Sequence, residues 1–128
     1  MAVRTEADPA ACIRRHIVSG TLTLSDFRGT LEAAYEDPEM QELCPLWDLR
    51  SAHVDMTSAE IHQVADFIGE HWRPPTRVRA ALVVSKDFDF AMLRMLELLL
   101  GNRSPYEVMV FRDMGAAEAW LKEVRDEA

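Results

Sequence analysis

Short apolar runs separated by helical segments are the feature of this sequence that most constrains its fold. The runs are LCPLWDL at 43–49, RAALVVS at 79–85 and EVMVF at 107–111. Strands joined by helices of about 10 to 15 residues form crossover units of a largely parallel sheet. The second run is apolar with polar flanks, which is typical of a central strand covered on both faces. The sequence therefore predicts an α/β fold.

An earlier segment predicts one more strand and a hairpin. Residues 11–18, ACIRRHIV, are strand-like, and Ser19-Gly20 is a turn signal before TLTL. This opening hairpin would make the sheet mixed. Pro45 restricts pairing at the start of the next strand to an edge or to the first residues of that strand.

Four helices are expected between and after these strands. Ser25 is the predicted cap of the first helix, which ends at Pro38. Thr57 opens the second, because Glu60 three residues later completes a capping box. Asp87 starts the third and Asp113 caps the fourth. Apolar residues at helical spacing give the second and fourth helices one buried stripe each: Ile61, Val64, Ala65, Ile68 and Trp72, then Met114, Ala117, Trp120, Leu121 and Val124.

Composition indicates one folded domain over residues 1–128, with 48% hydrophobic and 28% charged residues. The net charge of -8 argues against binding nucleic acid, which requires a basic surface. No apolar run has the roughly 20 residues of a membrane span. The N-terminal segment lacks the apolar core of a signal peptide, so we expect a cytoplasmic protein. The two cysteines form no C-x-x-C pair, and we predict neither a metal site nor a cofactor.

The junction LWDLRSAHVDMTSAEI, the stretch FAMLRMLELL and the ending VMVFRDMGAAEAWL resemble the STAS/SEC14-type family of small bacterial proteins related to anti-sigma-factor antagonists. The resemblance covers nearly the whole chain. It implies a single-domain, mixed, largely parallel sheet of four to five strands with about four helices. Relatives include phosphorylatable antagonists of anti-sigma factors and carriers of apolar molecules, and many members have no assigned activity.

The antagonists suggest a phosphorylation site at the start of the second helix. In them a serine at this position, in the context Asp-Ser followed by a small residue and glycine, is phosphorylated by the partner kinase. This chain offers Ser58 and Thr57 there but lacks the glycine. A phosphate would gain from the helix N-terminus and be repelled by Asp55 and Glu60. We interpret Thr57 mainly as a helix cap, with the switch as the alternative.

Polar residues follow the predicted strands at their carboxyl ends, where ligands of open α/β folds bind. The candidate ligand-binding residues are Arg50, Ser51, His53, Ser85, Lys86 and Arg112. Common catalytic and nucleotide-binding motifs do not occur in the sequence. The enzyme hypothesis is therefore a small hydrolase or transferase that uses His53 in a loop, and it requires a hydroxyl or carboxylate within reach of this histidine.

The third helix, DFDFAMLRMLELLLGN, is apolar nearly all round, with Arg94 and Glu97 marking a narrow polar face. It has more apolar surface than one contact with a sheet can cover. The neighbouring helices, a second copy of the chain or a small apolar ligand could cover Met92, Met95 and Leu99. We therefore expect a non-enzymatic binding or protein-interaction domain that forms a homodimer, with a regulatory role or a small apolar ligand, and another protein as the alternative partner.

Overall fold

The computed structural model describes residues 2–74, 77–101 and 107–126 of the chain. Five strands and five helices follow one another in the order β1 (Ala2–Asp8), β2 (Ile13–Leu22), α1 (Leu24–Tyr35), α2 (Pro38–Gln41), β3 (Cys44–Val54), α3 (Ser58–His71), β4 (Ala80–Val83), α4 (Asp87–Gly101), β5 (Val108–Phe111) and α5 (Met114–Asp126). The predicted α/β class is confirmed. Of the described helices, the one-turn α2 is additional to the four that were expected.

The five strands form one sheet in the order β1-β2-β3-β4-β5, in which only the β1–β2 pair is antiparallel. The mixed, largely parallel sheet is therefore confirmed, but the hairpin was placed wrongly. The chain turns between β1 and β2, where Cys12 has a φ of 57° and the Ala11 N–H donates to the Asp8 carbonyl over 3.2 Å.

Ser19 and Gly20 lie inside β2, which continues to Leu22 along β3. The strand has a register irregularity between Ile17 and Ser19, and Gly20 has a φ of 79°. The Ser-Gly pair that predicted a turn therefore forms an irregular part of β2 instead. Pairing of the second half of β2 with β3 keeps the chain extended.

The predicted cap of α1 is two residues late. Thr23, not Ser25, is the N-cap: its hydroxyl accepts the N–H of Asp26, and the Asp26 carboxylate accepts the N–H of Thr23. Asp26 stands three residues after Thr23, the spacing of a capping box. The helix ends at Tyr35, and Pro38 begins α2, where the missing N–H of proline leaves no helical bond unmade.

Helices cover both faces of the sheet. Residues of α1, α3 and α4 line one apolar cavity together with residues of β2–β5, so these three helices share a face. On the other face, α5 meets the sheet through Arg15–Glu118 and through Arg79, whose guanidinium lies 4.7 Å from the Trp120 ring centre. The first half of β3 and all of β4 are buried between the two layers, as expected for central strands.

Two basic side chains on β2 are buried among the helices of the first face. Arg14 Nη1 donates to the Met40 carbonyl over 2.9 Å, and burial lowers the pKa of this guanidinium. His16 Nδ1 lies 2.9 Å from the Thr5 hydroxyl, and the imidazole packs on Trp47 with ring centres 4.4 Å apart. Burial, and next the charge of Arg14, lower the pKa of His16 to about 3.

Candidate functional site

Three of the six predicted strand-end residues lie along β3, which runs past the end of β4. Pairing between β3 and β4 stops at Asp48, whereas β3 continues to Val54. Arg50, Ser51 and His53 are therefore strand residues with exposed side chains, and the expectation that His53 lies in a loop was wrong. The backbone of β3 beyond Asp48 needs hydrogen-bond partners other than β4.

Two of the candidate ligand-binding residues supply those partners. The Ser85 hydroxyl donates to the Arg50 carbonyl over 2.9 Å. Lys86 Nζ donates to the Ala52 carbonyl over 2.6 Å. Both side chains come from the segment between β4 and α4, so they attach the start of α4 to β3. A structural role therefore accounts for their positions.

The two candidate arginines are paired within the chain. Arg50 holds the Asp48 carboxylate through two hydrogen bonds of 2.9 Å, which lower the pKa of Asp48 and raise that of Arg50. Arg112 Nη1 lies 2.7 Å from Asp87 Oδ1, and its guanidinium stacks 4.7 Å from the centre of the Phe90 ring. The two guanidiniums have separate partners, and these contacts do not direct them to one common point.

His53 has a carboxylate partner that the sequence interpretation missed. Its Nδ1 lies 3.3 Å from Oδ1 of Asp89, a fully buried residue near the start of α4, while the His53 side chain is 51% exposed. The same Asp89 oxygen accepts the Val54 N–H over 3.0 Å. Neutral His53 can donate from Nδ1 to this carboxylate and present Nε2 outward. The only sequence signal was an aspartate within the apolar run DFDFAML.

Glu97, which was expected on the polar face of α4, is a second buried carboxylate of this helix. Glu97 is buried, and its Oε1 accepts the Val110 N–H of β5 over 2.8 Å, while Oε2 contacts Arg94. Asp89 and Glu97 thus attach α4 to two different strands. A carboxylate that accepts a backbone N–H on an inward face is hard to tell from a solvent-facing one by spacing alone, because its partner is distant in sequence.

The outer surface of α4 is apolar. Phe88 and Leu98 are 53% and 55% exposed, and Met92, Met95 and Leu99 are half-buried against the core. At 100° per residue, these side chains and one alanine fall within an arc of about 120°. We call this surface the α4 stripe; it comprises Phe88, Ala91, Met92, Met95, Leu98 and Leu99. The predicted excess of apolar surface on this helix is present, and no described element covers it completely.

The start of α3 has the predicted cap. The Thr57 hydroxyl accepts the Glu60 N–H over 3.2 Å, and the Glu60 carboxylate accepts the Thr57 N–H over 3.0 Å. Ser58 is the first residue of the helix, and both hydroxyl residues are exposed. The geometry confirms the capping box, and it leaves phosphorylation of Ser58 or Thr57 as a prediction.

Three cavities lined by described residues are of interest, one small cavity and two open grooves. The cavity beneath α1, α3 and α4 has a volume of about 30 Å³ and is lined by Arg14 and twelve other residues, which is room for little more than a water molecule. A groove of about 550 Å³ lies between β1 and α1, and another of about 460 Å³ lies between α4, β5 and Trp120. A lipid-like ligand in the cavity beneath α4 would therefore require α4 to move.

Among the described residues, no three His, Cys, Asp or Glu side chains are placed to hold a metal ion. The described helices include none that is long and apolar enough to cross a membrane.

A scan against known protein families finds no match, and a search of curated proteins finds none. Among solved structures, the chain is similar to an uncharacterised protein of the DUF3478 family with a SpoIIAA-like fold, from Shewanella loihica PV-4. The two share 18% sequence identity over 94% of this chain and 92% of that chain, with a TM-score of 0.57. The SpoIIAA-like fold is the STAS fold of the antagonists, so the resemblance drawn from the sequence is confirmed at the level of the fold.

Proposed function

We propose that this chain of SpoIIAA-like fold is a non-enzymatic protein-interaction module whose docking surface is the α4 stripe. The observation that carries the proposal is the continuous apolar surface of this helix. Burying a Leu or Phe side chain contributes roughly 1.5 to 3 kcal/mol, so leaving Phe88 and Leu98 half in water has a cost that a partner would remove. The stripe spans eleven residue steps, or roughly 17 Å of helix, the length over which one helix packs on another.

The occupant that fits is an amphipathic helix of another protein, with a carboxylate beside its apolar stripe. Arg94 is exposed, contacts Glu97 on the side away from the stripe, and lies next to Leu98 at the edge of the stripe, near its middle. In an antiparallel pair of two α4 helices about a twofold axis, residues beside the contact and near the axis meet their own equivalents. A second copy would therefore bring one Arg94 towards the other, whereas a different helix can present an acid there. The cavity beneath α4, at about 30 Å³, is too small for a lipid-like ligand, which likewise supports a protein as the occupant of the stripe.

Two charge substitutions in the stripe test this proposal. Met95→Glu and Leu98→Glu should keep the fold and abolish binding of the partner, while Gln63→Glu on the exposed face of α3 should leave binding unchanged. Leu98→Glu is the safer variant, since Leu98 is more than half exposed. The proposal is supported if the wild type and the control capture the same protein from the source cells and both stripe variants fail to capture it. The purified partner should then bind the wild type directly.

Other outcomes would overturn this assignment. If both stripe variants fold and retain every partner of the wild type, the stripe is not the docking surface. Native mass spectrometry separates the other occupants: a wild-type dimer that Leu98→Glu converts to monomer identifies a second copy. An apolar molecule that leaves with the same substitution identifies a ligand.

The contact between His53 and Asp89 favours one alternative function, a small hydrolase or transferase. A buried carboxylate that orients an exposed imidazole is the arrangement of a general base. The contact serves equally to cover Asp89 where it accepts the Val54 N–H, and the three cavities described above are lined by other residues. An activity against an ester or phosphoester that His53→Gln abolishes without loss of thermal stability would establish the enzyme.

A further inference from the structure

The outer edge of β1 is an open sheet edge. Among the described residues, β1 pairs with β2 on one side and with no strand on the other. Its seven residues pair with β2 without any register shift, and the strand contains no proline. An edge of this kind presents a regular row of free backbone donors and acceptors. Natural proteins commonly protect such edges from pairing with bulges, prolines or charged side chains. The described part of β1 has only charged side chains for this purpose.

Those charges are arranged symmetrically about the centre of the strand. Arg4 and Glu6 flank Thr5 and point to the same face of the sheet, since side chains alternate along a strand. Their side chains are 68% and 51% exposed, and Arg4 Nε lies 2.9 Å from Glu6 Oε1. Arg4 and Glu6 disfavour an approaching strand that places a like charge opposite either of them. A second β1 that runs antiparallel can instead place the opposite charge there.

We propose that β1 pairs antiparallel with β1 of a second copy about a twofold axis at Thr5, which joins the two sheets into one of ten strands. Along an edge strand, every second residue points its backbone N–H and C=O groups outward. In an antiparallel pair these outward residues lie opposite one another, so each odd-numbered residue of one copy faces an odd-numbered residue of the other, and each even-numbered residue faces an even-numbered one. The axis therefore lies at a residue. Centred on Arg4 or Glu6, the pairing would set like charges opposite each other. Centred on Thr5, it sets Arg4 opposite Glu6 of the second copy, twice.

The other face of β1 suits the same pairing. Val3 and Thr5 point towards α1 and line the groove of about 550 Å³ between β1 and that helix. In the Thr5-centred register, Ala7 of the second copy lies opposite Val3 and extends the floor of this groove. A methyl group at that position adds apolar contact beside Val3 without steric conflict.

A charge-reversal series tests the pairing, with the dimer measured by sedimentation velocity and native mass spectrometry. Arg4→Glu or Glu6→Arg alone introduces two like-charge pairs by symmetry and should raise the dissociation constant of the dimer on the order of tenfold. The double variant restores opposite charges and should restore the dimer. Lys122→Glu, a matched reversal on the exposed face of α5, should have no effect.

Disulfide cross-linking tests the register. Directly opposite residues of antiparallel strands have Cα atoms about 4.5 to 5.5 Å apart, within the range that a disulfide spans. Thr5→Cys, in a Cys12→Ser background, should therefore cross-link two chains on oxidation. Val3→Cys should not, because its equivalent lies four residues along the strand, roughly 14 Å away.

A wild type that stays monomeric up to millimolar concentration would overturn the pairing, as would a double variant no better than the single ones, or equal cross-linking through residue 3. Leu98→Glu should leave this dimer intact, so the result is independent of the α4 stripe.

Discussion

Replacing His16 with asparagine should reduce the loss of unfolding free energy that occurs as the pH is lowered. The imidazole is buried against Trp47, its Nδ1 lies 2.9 Å from the Thr5 hydroxyl, and Arg14 is two residues away on the same strand. Burial, followed by the charge of Arg14, lowers the pKa of His16 from 6.5 to about 3. Asparagine can keep the hydrogen bond to Thr5 and does not titrate.

The magnitude follows from proton linkage. Between pH 6.5 and about 3, the unfolded chain carries a proton on His16 that the folded chain does not. Stability therefore falls as the pH falls through this window, by about 1.4 kcal/mol per pH unit. From pH 7 to pH 5 this amounts to about 2 kcal/mol, and the full window gives roughly 5 kcal/mol. Above pH 6.5 both states are neutral at this residue, and the contribution is constant.

Urea unfolding at a series of pH values between 7 and 4 measures this effect. The free energy of unfolding of the wild type should drop about 2 kcal/mol more than that of His16→Asn between pH 7 and pH 5. Any constant destabilisation by the substitution cancels in this difference, as do carboxylates that titrate equally in both proteins. Parallel pH profiles for the two proteins would show that His16 takes up a proton in the folded state as readily as in the unfolded one.

Three further predictions concern the ends of α3 and α4. Thr57→Ala should cost about 1 kcal/mol of unfolding free energy through loss of the N-cap, whereas Ser58→Ala should change little in the same melts. Asp89→Ala should cost about 1 to 3 kcal/mol because it leaves the buried Val54 N–H without an acceptor, and Asp89→Asn should recover most of this in urea unfolding. If Ser58 is a regulatory phosphosite, intact mass spectrometry of protein from its own cells should show a phosphorylated fraction, and Ser58→Asp should alter partner binding; unmodified protein under all growth conditions, with unchanged binding, would leave only the structural role.

Patterns within a single element predicted much of this fold. The capping box at Thr57 and Glu60 and the apolar stripe of α3 depend on spacings of three and four residues, and both are present. The same holds for the excess apolar surface of α4. The prediction failed at β1 and at Ser19-Gly20, where the outcome depends on which strand lies alongside. A Ser-Gly pair adopts a turn or an extended bulge with similar ease, and pairing with β3 selects the bulge.

The same distinction between local patterns and contacts across the fold applies to the candidate site. The sequence alone identified α4 as a helix with too much apolar surface, because the identity of every residue on that surface is local information. Only the tertiary structure decided what the polar residues do. Ser85 and Lys86 bind carbonyls of β3, Asp89 and Glu97 accept backbone N–H groups of two different strands, and each partner lies 13 to 35 residues away. Hydrogen bonds of this kind have no periodicity in the sequence, because one partner in each is a backbone group, and every residue carries such groups.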